Sequence, residues 1–310
     1  MNKLISICIP CRNEVDNVKP LAKEILNICD QYHNYDFEII YIDNCSTDGT
    51  QDKLREMCSD EKRIKVILNA KNFPGGSGWY AMLQAKGDCI IYIPADFQVP
   101  PSLIPDMIKE WENGATVVPL IKRIGKYDKL RLFRKIYYKV SGVLSNQEIL
   151  PGFTGSGLFE KDFIDICRNL NDPLFSMQYM ITYYAKSVKK IEYNEQPRRS
   201  GKSNNSFKFL MHIAIIRYIH TSDKAPHYAI ISGIIMGIIS FLISIYYFVR
   251  KLIDWDHFPV GIAPLVIGMF FLGAIQLIFI GVIGEYVITI GERQKNKPYV
   301  IEKERINFDM

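Results

Sequence analysis

The 310 residues include only five histidines, and their seven cysteines show no regular framework. That lack of a regular framework argues against a disulfide-stapled scaffold. Several of the cysteines (Cys8, Cys89) fall inside apolar runs, so they read as buried thiols of a reducing compartment. The net charge is only +5, which gives little reason to expect a nucleic-acid partner. A secretory signal is also missing, because Leu4–Ile9 is too short an apolar run and Pro10 and charges follow it. Neither Gly75-Gly76-Ser77-Gly78 nor Gly152–Gly157 fits G-x-G-x-x-G, which speaks against a nicotinamide-dependent oxidoreductase. No internal repeat or low-complexity tract is evident.

What the first 120 or so residues do contain is an alternation of short β-rich runs and helical patterns. Leu4–Ile9, Phe37–Ile42, Ile64–Leu68 and Cys89–Ile93 are nearly continuous in apolar residues, as buried parallel strands are. Between them Val15–Tyr32 has helical apolar spacing, Thr47–Met57 follows a Ser46 cap, and Gly78–Gln84 is short but helix-like. This order predicts an α/β doubly wound sheet with its ligand crevice at the carboxyl ends of the strands. Arg12–Glu14, Asp43 and Asp96 fall at those ends. Asp43 there can accept hydrogen bonds from a base, and Asp96 can hold a divalent cation that bridges phosphate oxygens.

Two uncharged apolar segments, Ala229–Val249 and Phe258–Gly284, dominate the C-terminal end. At about 1.5 Å rise per residue each can cross a hydrocarbon core of roughly 30 Å. Arg250–His257 between them is short, so they predict a hairpin with both flanks on one side. Arg198, Arg199, Lys202, Lys208, Arg217 and Lys224 precede the hairpin, and Arg293, Lys295, Lys297, Lys303 and Arg305 follow it. Positive residues stay inside, so both flanks are expected to be cytoplasmic. Phe207–His220 is apolar with scattered basic residues and suits either an interfacial helix or core packing.

The polar blocks, taken in order, resemble glycosyltransferase family 2, and more closely its polyprenyl-phosphate glycosyltransferases. Pro10, Asn13 and Glu14 match the opening P-x-Y-N-E, with Arg12 in place of the tyrosine. Asp43, Ser46, Thr47, Asp48, Gly49 and Thr50 match D-D-G-S-T-D-G-T, with Asn44 and Cys45 as substitutions. Asn72-Phe73-Pro74-Gly75 is similar to the N-F-G block, and Pro94–Pro101 aligns with D-A-D-L-Q-D-P-P. Arg198, Gly201 and Ser203 correspond to R-x-x-G-x-S, and Leu272–Leu277 with Ile283-Gly284-Glu285-Tyr286 is similar to the second span of bacterial two-span members. The Q-x-x-R-W block of processive polysaccharide synthases, the rival reading, is absent.

The resemblance implies a GT-A (Rossmann-like) catalytic domain over 1–205, an interfacial segment 206–228, transmembrane helices 229–249 and 258–287, and a cytoplasmic tail 288–310. It implies inverting transfer of a sugar, UDP-linked glucose or N-acetylglucosamine, from a nucleotide sugar to a polyprenyl phosphate, with Mg²⁺ or Mn²⁺. Pro10, Arg12, Glu14, Asp43 and Asn72 would bind the nucleotide. Asp96, helped by Gln98, would hold the metal, and Arg198, Ser203 and Lys122 would serve the phosphates. Lys122 with Arg123 also fits a plain solvated basic surface. Gly155-Ser156-Gly157 reads as a tight turn on the acceptor side or as a loop closure. The first acid of the metal block is Pro94 here and its last is Val99, which leaves Asp96 as the main carboxylate, with donor phosphates and water completing the shell; an inactive relative is the alternative this departure raises. The resemblance further implies the lipid bilayer as a partner, a homotetramer, and a flippase and glycan-modifying transferase acting downstream.

Overall fold

The computed structural model describes residues 2–123, 150–170, 176–197, 224–253, 262–295 and 297–308. Arg198, Gly201, Ser203 and the interfacial stretch Phe207–His220 lie outside them. The chain divides into two units, of which the first comprises Met1–Tyr138, Ile149–Ser206 and Asn296–Met310. Along this unit run β1 (Lys3–Cys11), α1 (Val18–Cys29), β2 (Tyr35–Asp43), α2 (Thr50–Asp60), β3 (Ile64–Asn69), α3 (Ser77–Gln84) and β4 (Cys89–Tyr92). They are followed by α4 (Ile104–Glu112), β5 (Val117–Lys122), β6 (Phe153–Glu160), α5 (Lys161–Leu170), α6 (Met177–Tyr184) and β7 (Ile191–Tyr193). A final strand, β8 (Glu302–Ile306), comes after the apolar helices.

The strands form one eight-stranded sheet in the order β7-β5-β6-β4-β1-β2-β3-β8. β4, β1, β2 and β3 run parallel, so the doubly wound expectation holds for this core. The chain winds outward from β1 through β2 to β3, then crosses back to place β4 on the other side of β1. That reversal opens a crevice at the carboxyl end of β1. Side chains alternate across the sheet with a period of two. On β1, Ile5, Ile7 and Ile9 pack on one face with Val18 and Leu21 of α1, Leu54 of α2 and Met107 of α4. Cys8, Ile40 and Ile42 face the other way, with Trp79 of α3, Phe163 of α5 and Met180 of α6.

The structure differs from the sequence reading in three places. Thr50 rather than Thr47 opens α2, with Gly49 in a left-handed conformation at the cap (φ 94°), because Ser46 is engaged elsewhere. Gly155-Ser156-Gly157 is no turn but part of β6, with Gly157 paired to Tyr92 of β4 on one side and Pro119 of β5 on the other. A Cβ on Gly152 would stand 2.4 Å from the Lys122 carbonyl oxygen, so the close approach of the two strands requires glycine there. The third concerns 288–310, expected as a separate tail: β8 lies antiparallel to β3 and closes its edge. Asn307 anchors its end, donating from Nδ2 to the Cys58 and Ile64 carbonyls at 2.8 and 2.9 Å.

Six of the seven thiols are buried, and Cys45 is half-buried. Burial pushes Cys8, Cys11 and Cys89 well up and Cys58 up to about 11, so these sulfurs stay protonated and unreactive.

The second unit comprises Lys139–Glu148 and Phe207–Lys295. Its described helices are α7 (Lys224–Ile253) and α8 (Ile262–Gln294). Phe241, Leu242 and Ile253 of α7 and Leu265, Phe271 and Leu277 of α8 are all more than half exposed. Apolar side chains presented along whole helices mark a surface that meets something other than water. Among the described residues α8 alone, through Phe271–Ile288, is long and apolar enough to cross a membrane; the apolar stretch of α7, Gly233–Ile243, is shorter.

Candidate active site

The carboxyl edge of the parallel strands gathers the predicted residues. Cys11 stands opposite Asp43 in the β1–β2 register, and the Asn44 amide donates to the Cys11 carbonyl at 2.9 Å. On the other side of β1 the Ala95 amide reaches the Pro10 carbonyl at 3.3 Å, one residue before Asp96. Pro10, Arg12, Asp43 and Asp96 therefore share one end of the sheet. Asn13, Cys45 and Phe97 follow β1, β2 and β4, and each has positive φ (56°, 59° and 61°). Such backbone costs of order 1 kcal/mol or more for a residue with a Cβ, and it concentrates where a loop is shaped for a ligand.

The loop after β2 is held by its own carboxylates. Asp43 is fully buried. Its oxygens accept from the Ser46 amide at 3.0 Å, from the Ser46 hydroxyl, and from Gln51 Nε2 on α2 at 2.7 Å. Ser46 Oγ in turn accepts the Asn13 amide, and Asn13 Oδ1 accepts the Thr47 amide, locking the β1 and β2 loops together. Asp48 accepts from the Thr50 amide and hydroxyl and from the Val15 amide. Burial alone would raise its pKa, but those hydrogen bonds outweigh burial and hold the carboxyl below its usual range. Glu14 is buried, accepts from Asn17 Nδ2, and opens α1 through its carbonyl. Arg12 is exposed beside this framework. Asn72 is reached through Asn44, whose Nδ2 donates to Asn72 Oδ1 at 2.8 Å and whose Oδ1 accepts the Phe73 amide at 2.7 Å. The substitution of Asn44 for an acid thus joins the β2 end to the 70–76 loop.

Asp96 is 6% exposed, and its Oδ1 accepts the Gln98 amide at 3.1 Å, which closes the turn around Phe97. Gln98 receives the Gln196 amide on its own carbonyl at 3.1 Å. β5 is antiparallel to β6 and β6 to β4, so β5 runs with β4 and its end, Lys122, reaches the same edge. Lys122 there is ion-paired with Glu195, just past β7. Lys122 is thus neither isolated nor fully solvated: it is a cation held by an acid at the crevice. Gln51 and Glu195 were not marked by the sequence, since nothing in their neighbours distinguishes a helix-surface amide or a post-strand acid from solvated ones.

Among the described residues no group of three His, Cys, Asp or Glu converges on one point. One buried carboxylate on a strand-end turn fits a divalent cation whose remaining ligands are substrate phosphates and water, the arrangement Mg²⁺ favours. Pro94, half-buried two residues before Asp96, supplies no ligand.

The family model "Glycosyl transferase family 2" matches residues 6–164, from β1 into α5. CsbB of Bacillus subtilis, described as a glycosyltransferase, is 28% identical over 97% of this chain and 92% of its own. The SfII prophage-derived bactoprenol glucosyl transferase of Shigella flexneri is 27% identical over 96% of this chain and 97% of its own. Among solved structures, glucosyl-3-phosphoglycerate synthase from Mycobacterium tuberculosis, in complex with Mn²⁺, UDP and phosphoglyceric acid, is 18% identical over 69% of this chain and 75% of that one, with TM-score 0.46. A mixed sheet with this switch point, polar strand ends gathered on one edge, and a model match over half the chain make the fold GT-A: the chain is a glycosyltransferase and belongs to glycosyl transferase family 2.

Proposed function

We propose that the chain moves a sugar from a nucleotide-sugar donor, UDP-linked glucose or N-acetylglucosamine, onto a polyprenyl phosphate with inversion at the anomeric carbon. The observation that carries this reading is the extent of the similarity to proteins named bactoprenol glucosyl transferase. It runs over 96% of the chain and so includes the apolar helices beyond the matched family domain.

An acceptor phosphate is already ionised near pH 7, so the site needs no general base. A phosphate oxygen attacks C1 of the sugar, the bond from C1 to the donor diphosphate breaks, and the nucleoside diphosphate leaves with that electron pair. The loops after β1, β2 and β3, shaped by Glu14, Asp43 and Asn72, receive the nucleotide, with Arg12 beside them. Asp96, with Gln98 adjacent, would hold a divalent cation, which would supply charge neutralisation for the leaving diphosphate. Lys122 balances acceptor phosphate, partnered by Glu195, and Arg198 and Ser203 serve the same phosphates. Rate then comes from alignment and charge stabilisation. Purified protein given radiolabelled nucleotide sugars and a short polyprenyl phosphate should yield a lipid-extractable labelled monophosphate. Label that stays water-soluble, or enters a polymer, contradicts the reading.

The same reading has α7 and α8 as a two-span hairpin, with the catalytic unit and C-terminus cytoplasmic. β8 supports it by parity. The chain leaves the catalytic unit before α7 and re-enters the same sheet at β8, so it must cross a bilayer an even number of times. If α8 crosses, a second crossing is needed, and α7 is the other long apolar helix among the described residues. After native thiols are replaced, Trp255→Cys should react with an impermeant maleimide in intact cells and Lys303→Cys should not. The reverse pattern overturns the topology and the cytoplasmic donor together.

A further inference from the structure

The segment that follows α8 touches the donor side of the crevice at several points. The Ile301 carbonyl accepts the Ala70 amide at 2.8 Å, at the start of the loop that carries Asn72. At the far end of that loop a Cβ on Gly76 would stand 2.8 Å from the Tyr299 carbonyl oxygen, so loop and segment are in direct backbone contact. Val300 between them is buried, at 6% exposure. Arg305 Nη2 donates to Gln84 Oε1 at 2.9 Å, holding the end of α3. A side-chain route also exists: Lys303 Nζ lies 3.4 Å from Gln51 Oε1, and Gln51 Nε2 donates to buried Asp43. The lysine favours the amide orientation that turns Nε2 toward the carboxylate.

We propose that the 297–308 segment is a positioning element for nucleotide binding, setting the Asn72 loop through its Tyr299–Ile301 backbone and Asp43 through Gln51. It rests on the reading of the β2–β3 edge as the nucleotide side. None of these residues need touch the nucleotide; they fix the groups that do. Residues 295–301 alone separate α8 from β8, so the last apolar helix is tied by a short tether to the geometry of the donor loop.

Coupling of this kind is reciprocal: whatever factor the segment adds to nucleotide affinity, the nucleotide must add to the segment's stability. The test uses the full-length chain in detergent with uridine diphosphate, and guanosine diphosphate in parallel. On the wild type, the nucleotide that binds should slow amide exchange across 297–308 and at Ala70. Gly76→Ala wedges loop from segment and should weaken that nucleotide about tenfold, within the ordinary range of coupling between sites. Val300→Ala loosens the segment without adding bulk and should weaken it about threefold, with the polyprenyl-phosphate KM unchanged in both. Wild-type exchange over 297–308 that ignores bound nucleotide, or both variants binding within twofold of wild type, overturns the proposal. If neither diphosphate binds the wild type, the nucleotide-site reading itself is what fails.

Discussion

Asp96→Asn should lower sugar transfer by on the order of a hundredfold, about 2.7 kcal/mol of transition-state stabilisation, while leaving the protein folded. The fold argument is local. Asp96 Oδ1 accepts the Gln98 amide, and an asparagine carbonyl makes the same bond, so the turn that holds Phe97 at φ 61° survives. What disappears is the carboxylate's charge, and no group of three candidate ligands among the described residues stands ready to replace it. Steady-state kinetics at saturating metal, with a thermal melt for integrity, decide the matter. A variant that keeps more than about a tenth of wild-type turnover, a loss under roughly 1.4 kcal/mol, removes Asp96 from the metal site.

Gly157→Ala should strongly destabilise the catalytic unit. A Cβ at Gly157 would lie 2.4 Å from the Val118 carbonyl oxygen and 3.0 Å from the Pro119 Cα, both backbone atoms. β6 is flanked by β4 on one side and β5 on the other, so it has no free direction in which to retreat. Overpacking of this sort costs about 3 kcal/mol, a large share of the stability of an ordinary domain. Gly155, two residues earlier, is the built-in comparison. Its added Cβ meets nothing within 4 Å, and only its φ of 100° would be strained, which costs about 1 kcal/mol. Thermal unfolding of the two variants should rank Gly157→Ala well below Gly155→Ala. Equal shifts would mean that steric approach of β5 and β6 is not what selects glycine.

The parallel strands were legible because burial on both faces leaves almost no choice of residue: Ile5, Ile7 and Ile9 meet one helical layer while Cys8 meets the other. The strand ends were legible for the opposite reason, since Asp43 and Asp96 interrupt apolar runs where a polar group needs a purpose. Helix starts were less so. Ser46 has the right side chain for a cap, but it bonds Asp43 and Asn13 instead, and the helix begins after the left-handed Gly49. Such a competition between neighbouring acceptors is decided in three dimensions. β8 was hidden for another reason: KER inside EKERI is charged, and an edge strand can afford that on exposed positions while Ile306 packs inward. Gln51 and Glu195 became visible only once α2 and β7 were placed beside their partners.

β8 also sets an order of events during synthesis. Arg55 on α2 and Glu304 on β8 form an ion pair across 249 positions of sequence, and the helices α7 and α8 lie between them. A ribosome therefore finishes β3, whose Ile-Lys-Val-Ile-Leu-Asn run offers unpaired amides and carbonyls to any passing strand, long before it makes the strand that covers it. Until β8 emerges, the nascent sheet carries an open adhesive border. A chain released before β8 is made keeps that border, which favours self-association. Completion of the sheet thereby reports that everything upstream has been made.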